Sequence, residues 1–326
     1  MSTKAIRIHE HGGAEQMRWE NVELNDPASG EVRVRHSAVG LNFIDVYHRT
    51  GLYPTPDLPC VLGLEAAGVV ESVGANVDEL TVGDRVAYAS PPLGAYAEAR
   101  NIAADRLVKL PDSIGFEQAA AMMLQGMTAE YLLQRTFPVQ PGQTILYHAA
   151  AGGVGLILCQ WAKHIGATVI GTVGNEEKAA LAKAHGCDHT ILYRDEDVVA
   201  RVREITDGAG VPVVYDGVGK DTWDISLDCL KPRGMMVSFG NASGSVPEIN
   251  LGILSAKGSL YVTRPTLMTY TAGSAEMRES AEALFGVVAS GAVKIEVNQR
   301  FALSDAAEAH RALESRETTG STILTT

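Results

Sequence analysis

Cysteine is scarce: four residues in 326, with no C-x-x-C pair, leave no basis for a disulfide framework or a zinc ribbon. Cys60, Cys159, Cys187 and Cys229 are expected to be reduced, mostly buried thiols, and none is flanked by a histidine or a cation that would activate it. Cations are in the minority, 27 Lys and Arg against 39 Asp and Glu, for a net charge of −12. That balance disfavours nucleic acid or an anionic membrane surface as partner. No apolar run is long enough to span a bilayer, and the opening Met1 to Ile8 has no apolar core of signal-peptide length. The expected location is therefore the cytoplasm. Repeats and low-complexity segments are also missing. What is present, 46% hydrophobic and 20% charged residues, is an ordinary globular composition at a length that suggests two domains.

The most informative stretch is Thr144 to Gly155, where a β-branched, apolar run leads straight into closely spaced glycines. Val154, Ile157, Leu158, Trp161, Ala162 and Ile165 then repeat on one 3.6-residue face. Strand, tight turn and helix bring a backbone close to a pyrophosphate and offer it the unpaired N–H groups of a helix N-terminus. The register is Ala150-x-Gly152-x-x-Gly155, with alanine at the first fingerprint position; Gly152, Gly153 and Val154 are the candidate phosphate contacts. The bland alternative is a βα turn without a ligand.

The second strand, Thr168–Val173, bears on the choice of nucleotide. A carboxylate at its tip would bond a ribose 2′-OH, but Gly174-Asn175-Glu176-Glu177-Lys178 follows instead. Glu176 and Glu177 read as helix N-terminal dipole partners. Lys178, which alone would be a surface lysine, is assigned to a 2′-phosphate, so NADPH is expected over NADH. His148, just before the glycines, is read as shaping the turn rather than as an acid.

Short strands at Ala5–His9, Glu31–Ala38, Gly68–Val73 and Arg85–Ala89, parted by Gly, Pro and Asp corners, suggest a small β-barrel. Helices are expected over Glu117–Leu124 and Thr128–Arg135. Strands at Thr144–His148, Thr168–Val173, His189–Leu192, Val213–Asp216, Met235–Gly240 and Ser259–Arg264 then alternate with helices Lys178–His185, Asp197–Ile205 and Thr222–Leu230. This pattern predicts an α/β chain with a doubly wound parallel sheet, with Gly186 and Gly234 placed as helix C-caps. Helix Ala281–Ser290, strand Lys294–Phe301 and helix Asp305–Ser315 complete the chain, and this tail is expected to return to the first domain.

Several segments together resemble one family. Gly142-Gln143, the Ala150–Gly155 turn, Gln160 and Lys163 are similar to the quinone oxidoreductase (ζ-crystallin-like) branch of the medium-chain dehydrogenase/reductases. So are Gly40–Tyr47, Gly51–Pro54, Gly63–Gly68, Val82–Val86, Val237–Asn241 and Leu260–Pro265. The resemblance implies a GroES-like catalytic domain, residues 1–122 completed by 266–326, around a Rossmann NADPH-binding domain, 123–265. It also implies a homodimer that reduces quinones with NADPH in a metal-free cleft between two domains. Zinc relatives in the superfamily have Gly-His-Glu where Gly63-Leu64-Glu65 stands, and a cysteine ligand near Asn42. Leucine offers zinc no donor atom, so alcohol dehydrogenation of the zinc kind is excluded on chemical grounds.

By the same resemblance, Asn42, Tyr47 and Tyr53 are the catalytic candidates. Asn42 would orient a carboxamide or quinone oxygen, and the two tyrosines would flank the acceptor; packing at a domain edge is the alternative for both rings. Asn42, Phe43, Ile44, Asp45 and Tyr47 would line the nicotinamide, Asp45 holding the segment through backbone bonds. Thr128 and Tyr131 lie one helical turn apart on the face expected to meet the cofactor. Gly174, Asn175, Lys178 and Tyr193 would surround the adenosine ribose and its phosphate. Phe239, Gly240, Asn241, Val262 and Arg264 follow the fifth and sixth strands, and Arg264 and Arg316 are candidate partners for phosphate or amide oxygens. No metal site is expected. Two rival functions share these motifs: reduction of enone or alkenal double bonds, and a ζ-crystallin-like structural or single-stranded RNA-binding role.

Overall fold

Alternation of buried and exposed residues, bent by irregular pairing, shapes the first part of the chain. The computed structural model describes residues 1–326. Its first strands are β1 (Ser2–Ile8), β2 (Arg18–Glu23) and β3 (Glu31–Leu41), followed by helix α1 (Phe43–Thr50). Then come β4 (Cys60–Val61), β5 (Glu65–Val73), β6 (Arg85–Ala89), β7 (Ala99–Ala103), β8 (Val108–Lys109), α2 (Phe116–Ala120) and α3 (Met123–Tyr131). The second part holds β9 (Thr144–Tyr147), α4 (Gly153–Ile165), β10 (Thr168–Val173), α5 (Glu176–Ala184), β11 (His189–Leu192), α6 (Val198–Ile205) and β12 (Val211–Asp216). After it follow α7 (Trp223–Cys229), β13 (Leu230–Ser238), α8 (Gly252–Ala256), β14 (Tyr261–Thr263), α9 (Leu267–Tyr270), α10 (Ser274–Ala289), β15 (Val297–Ala302), α11 (Ala306–Glu314) and β16 (Ser321–Thr325).

The chain divides into two units. One comprises Met1–Met127, Thr271–Ala289 and Ile295–Thr326; the other comprises Thr128–Tyr270 and Ser290–Lys294. In the first, β3 is the hub, pairing antiparallel with β5, β7 and β16. Its register against β5 shifts between Arg33 and Val34 and again between His36 and Ala38, and such bulges increase twist and bend a sheet. Val32, Val34, Val39 and Leu41 of β3 point into a core with Ile6, Ile8, Leu62, Val70, Tyr88 and Leu324. The expected return of the tail to this unit is seen in β16, whose Thr322–Thr325 pair with Leu41–Ala38.

The second unit is the expected doubly wound sheet, six parallel strands in the order β11-β10-β9-β12-β13-β14. Parallel strands covered on both faces are apolar almost throughout, as Ile145, Leu146, Val213, Val214 and Tyr215 are. The strand order reverses between β9 and β12, and ligands bind outside the carboxyl ends of strands at such a point.

Several expectations need correction. Gly234 caps no helix: α7 stops at Cys229 and Gly234 lies inside β13, which starts five residues earlier than expected because Leu230 pairs with Val211 across a register shift. The segment after Asn42, expected only as a lining stretch, is helix α1, ended by left-handed Gly51 at φ 80°. Glu117–Leu124 is not one helix, because α2 and α3 part around Ala121, and Leu132–Thr136 winds as a π-turn. Strands β2, β7 and β16 and helices α8 and α9 were not expected at all.

Candidate functional site

The glycine turn has the geometry of a phosphate cradle. Gly152 is the N-cap of α4 in extended conformation with no side-chain cap, and the first helical bond runs from Leu156 N to Gly152 O at 2.9 Å. The Gly153, Val154 and Gly155 N–H groups precede that bond and so lack partners within the helix. Gly155 is required by close packing, since a Cβ there would lie 2.6 Å from Ala150 O and 2.7 Å from Ala149 O. Ala150, at the position of the missing first glycine, is fully buried, and its methyl group has room because the adjacent strand carries Gly171, whose own Cβ would sit 2.5 Å away. Just ahead of it Ala149 adopts φ 62°, a left-handed conformation rare for alanine. A dinucleotide pyrophosphate fits these donors.

Around the tip of β10 the residues assigned to the 2′-phosphate come together. Asn175 caps α5 by accepting the Lys178 N–H at 2.9 Å, so its side chain serves the helix start. Tyr193 donates its backbone N–H to Val173 O at 3.2 Å, and its hydroxyl lies over Gly174, 3.1 Å from where a Cβ would stand. Lys178, whose N–H Asn175 accepts, is half-buried at the start of α5. At the tip of β13, Phe239 tilts toward Tyr147 with ring centroids 6.1 Å apart, and Gly240 packs on the Gly217 backbone where no Cβ would fit. Arg264 donates to Gly240 O at 3.1 Å and Ser238 Oγ at 3.4 Å, which fixes it against this tip.

His148 shapes the turn, through side chains rather than backbone. Its two ring nitrogens meet Thr172 Oγ1 and Ser226 Oγ, each at 3.0 Å, and Ser226 donates onward to Asp216 at 2.9 Å. Burial lowers its pKa, against the pull of Asp216, so it is neutral and ties together β9, β10, α7 and β12.

In the first unit, Asn42 and its neighbours form a buried polar cluster. The Asn42 N–H donates to Asp45 Oδ2 at 2.9 Å, which fulfils the expected backbone role of Asp45 and starts α1. The Asn42 side chain is bonded on both sides: Nδ2 donates to Glu65 Oε2 at 2.6 Å, and Oδ1 accepts from Gln125 Nε2 at 3.1 Å. Gln125 Oε1 in turn accepts from Ser321 Oγ at 2.7 Å. Gly40 makes room for Glu65, whose Oε2 would lie 2.2 Å from a Cβ at that position.

Burial pushes the Glu65 carboxyl up to about 8, against hydrogen bonds from Leu124, Asn42 and Met123, and with help from the nearby charge of Asp45. Burial likewise raises Asp45 to about 7, against the bonds from Asn42 and Tyr96. A second chain reaches Asp45 from the far tail: Arg49 Nη1 donates to His310 Nδ1 at 3.1 Å, His310 Nε2 meets Tyr96 Oη at 3.0 Å, and Tyr96 donates to Asp45 Oδ2 at 3.0 Å. Glu314 anchors buried Arg49 with bonds of 2.8 and 2.9 Å.

Glu65, Gln125, Tyr96 and His310 were not singled out from the sequence. For Glu65 its place in Gly63-Leu64-Glu65 was the available signal; the other three are brought in by pairing far along the chain. Phe43, Tyr47 and Tyr53 form an aromatic group, with Tyr47–Tyr53 centroids 5.1 Å apart and edge to face, and Tyr53 N bonded to Tyr47 O. Ile44 is half-buried on the same helix. In the second unit Thr128 is buried, and Tyr131 stacks at 4.6 Å on Tyr270, so its ring is partly committed to packing. Asn241 follows Gly240, Val262 lies on β14, and Arg316 stands exposed at φ 62° just beyond α11.

A family model described as a zinc-binding dehydrogenase matches residues 153–286, and one for the alcohol dehydrogenase GroES-like domain matches 28–135. Zinc does not fit the donor set here. Leu64 replaces a ligand, Glu65 and Asn42 bond each other, and no group of three His, Cys, Asp or Glu side chains gathers as ligands. A quinone oxidoreductase of Pseudomonas aeruginosa is 57% identical over 321 residues, 98% of this chain and 99% of that one. A 2-haloacrylate reductase of a Burkholderia species is 48% identical over 98% of each chain. The crystal structure of Escherichia coli quinone oxidoreductase complexed with NADPH superposes with a TM-score of 0.98 at 52% identity, covering 99% of this chain and 100% of that one. With both units matched and identity above half along almost the whole length, the chain belongs to the quinone oxidoreductase branch of the medium-chain dehydrogenase/reductases.

Proposed function

We propose that this protein binds NADPH on the turn before α4 and reduces quinones. The observation that carries the reading is that turn: helix N-terminal amides at the switch point of a parallel sheet, followed by a strand tip with no carboxylate and with Lys178 close by. When bound, NADPH supplies a hydride from its nicotinamide ring. Gly153 and Val154 offer N–H groups to the pyrophosphate, and Lys178 and Tyr193 favour the extra phosphate. Tyr47 and Tyr53 supply a rigid aromatic edge for a flat acceptor, and their phenols are donors for a quinone oxygen. A quinone spreads incoming charge over two carbonyls and the ring, so orientation and exclusion of water are the main demands on the protein.

The test is steady-state NADPH oxidation against a panel of ortho- and para-quinones. Turnover with NADPH well above that with NADH is expected; no quinone-dependent oxidation overturns the reading. A second reading, reduction of electron-poor carbon–carbon double bonds, is favoured by the kinship with a 2-haloacrylate reductase. Product analysis on an enone separates the two. A homodimer in the cytoplasm completes the proposal, supported by the exposed apolar edge at Tyr261 and Val262 and by four buried free thiols.

A further inference from the structure

Two hydrogen-bond chains converge on the start of α1, and they differ in whether they can reverse. Arg49 can only donate, so His310 accepts at Nδ1, carries its proton on Nε2 and donates to Tyr96, which donates to Asp45. That chain has one direction. The other runs Ser321–Gln125–Asn42–Glu65 through groups that can each donate or accept, a hydroxyl, two carboxamides and a carboxyl. The fixed donors beside it are the Asp45 N–H, which faces the Asn42 side chain in the capping box and favours its oxygen there, and the Leu124 and Met123 N–H groups on Glu65.

With Glu65 ionised, Ser321 donates to Gln125, Gln125 to Asn42, and Asn42 to Glu65. With Glu65 protonated, every bond inverts: Glu65 donates to Asn42 Oδ1, Asn42 Nδ2 to Gln125 Oε1, and Gln125 Nε2 to Ser321. The Ser321 hydroxyl then turns to the Ala121 carbonyl, already 2.9 Å away. Both amides rotate by half a turn, and because their oxygen and nitrogen are nearly the same size the heavy atoms stay in place. The end contacts, 2.6 Å at Glu65 and 2.7 Å at Ser321, are short enough for a hydroxyl donor at either end.

We infer that Glu65 is a positioning residue whose proton sets the orientation of the Asn42 amide, and so whether Asn42 offers a donor or an acceptor to a bound ligand oxygen. The inference rests on the proposed role of Asn42 beside a nicotinamide or quinone oxygen. After inversion, the second N–H of Asn42 and its second lone pair have exchanged places. The titratable groups facing Glu65 are Asp45 on α1, Tyr88 on β6 and Tyr96 ahead of β7; Gly40 faces it from β3, and the Leu124 N–H from α3. The Leu124 N–H, donating to Oε1 at 2.8 Å, also fixes how a glutamine would sit: its oxygen must take that bond, leaving its NH2 to donate to Asn42. Glu65→Gln therefore locks the chain in the direction of protonated Glu65.

The experiment follows the side-chain 15N signals of Asn42 and Gln125, and the infrared carbonyl band of the protonated Glu65 carboxyl, through a pH titration of the whole protein. The band should vanish and both amide signals move together near pH 8, the value set chiefly by burial. In Glu65→Gln the band should be missing and the amide signals still. NADPH–quinone kcat/KM should break at the same pH in the parent protein, changing by about tenfold per pH unit beyond it, and the break should be lost in Glu65→Gln. Amide signals that ignore the Glu65 titration, or an activity break retained by the glutamine variant, overturn the inference. Should Glu65→Gln fail to fold, the titration of the parent protein alone decides. Should quinones not be reduced at all, the functional reading fails while coupled amide and carboxyl titration still stands as evidence for the reversible chain.

Discussion

Asp45 and Glu65 hold their protons well above the usual carboxylate range because burial removes the water that would solvate the charge. His36 and His310 are pressed the other way, to about 4 and about 3, again chiefly by burial. The sign of each linkage follows from which state binds more protons. Between 6.5 and 8 the unfolded chain has neutral histidines and ionised carboxylates, while folded Glu65 and Asp45 still keep protons, so stability falls as pH rises. Below 6.5 the unfolded histidines take up protons that folded His36 and His310 refuse, which lowers stability as pH drops toward 3 and opposes the carboxyl effect. The melting temperature should therefore decline from pH 6.5 to pH 8, and decline less in Glu65→Gln. A melting temperature that rises across that interval contradicts the assignment. A second expectation at this scale concerns Lys178: its replacement by alanine should weaken NADPH binding roughly tenfold or more while leaving NADH nearly unchanged, read by titration calorimetry. Equal losses for the two nucleotides remove the phosphate role.

Between elements, the turn before α4 depends on a trade of methyl groups. Ala150 replaces a glycine of the usual fingerprint, and β10 answers with Gly171 directly against it. Gly171→Ala should destabilise the nucleotide-binding unit by about 1–3 kcal/mol, since its Cβ would meet Ala150 Cβ at 2.5 Å and Cys187 Sγ at 2.7 Å. Adding Ala150→Gly removes the first contact but not the second, so the double variant should recover part of the loss. Urea melts of the four combinations measure the coupling, and strict additivity would show that the two residues do not share a space. At the head of α1, by contrast, the entry angle is set by two buried carboxyls: Asp45 takes the Asn42 N–H and Glu65 takes its side chain.

At the scale of the molecule, the six-stranded sheet ends on β14 with its far edge unpaired. Exposed apolar side chains gather in and before that strand, Leu251 at 71%, Tyr261 at 59% and Val262 at 37% of full exposure. A short edge strand that presents aromatic and branched residues to water invites a second copy. We expect a dimer by sedimentation, and Val262→Lys, which puts a charge on that edge, should shift it toward monomer without changing the circular dichroism of the fold. A monomeric parent protein overturns the expected dimer, and a dimer unaffected by the substitution places its interface elsewhere. No helix is long and apolar enough to cross a membrane.

The sequence by itself determined the six strands of the parallel sheet, because apolar runs alternating with amphipathic stretches admit few connections; their order came from the tertiary structure. It also determined the glycine turn before α4, whose residues lie consecutively from Ala150 to Gly155 and whose geometry is set by their own backbone. The α1 helix escaped notice because only eight residues form it and its cap relies on Asp45 three positions ahead. β16 escaped because its partner, β3, lies almost three hundred residues away. Only the tertiary structure decided the polar interior of the first unit. Glu65, Asn42, Gln125 and Ser321 come from β5, the N-cap of α1, α3 and β16, and Asp45, Tyr96 and His310 from α1, the segment ahead of β7 and α11; neither group has a spacing to read. Local pattern fixes backbone elements, whereas the protonation of a buried carboxyl depends on which donors, charges and absent waters the whole fold places around it.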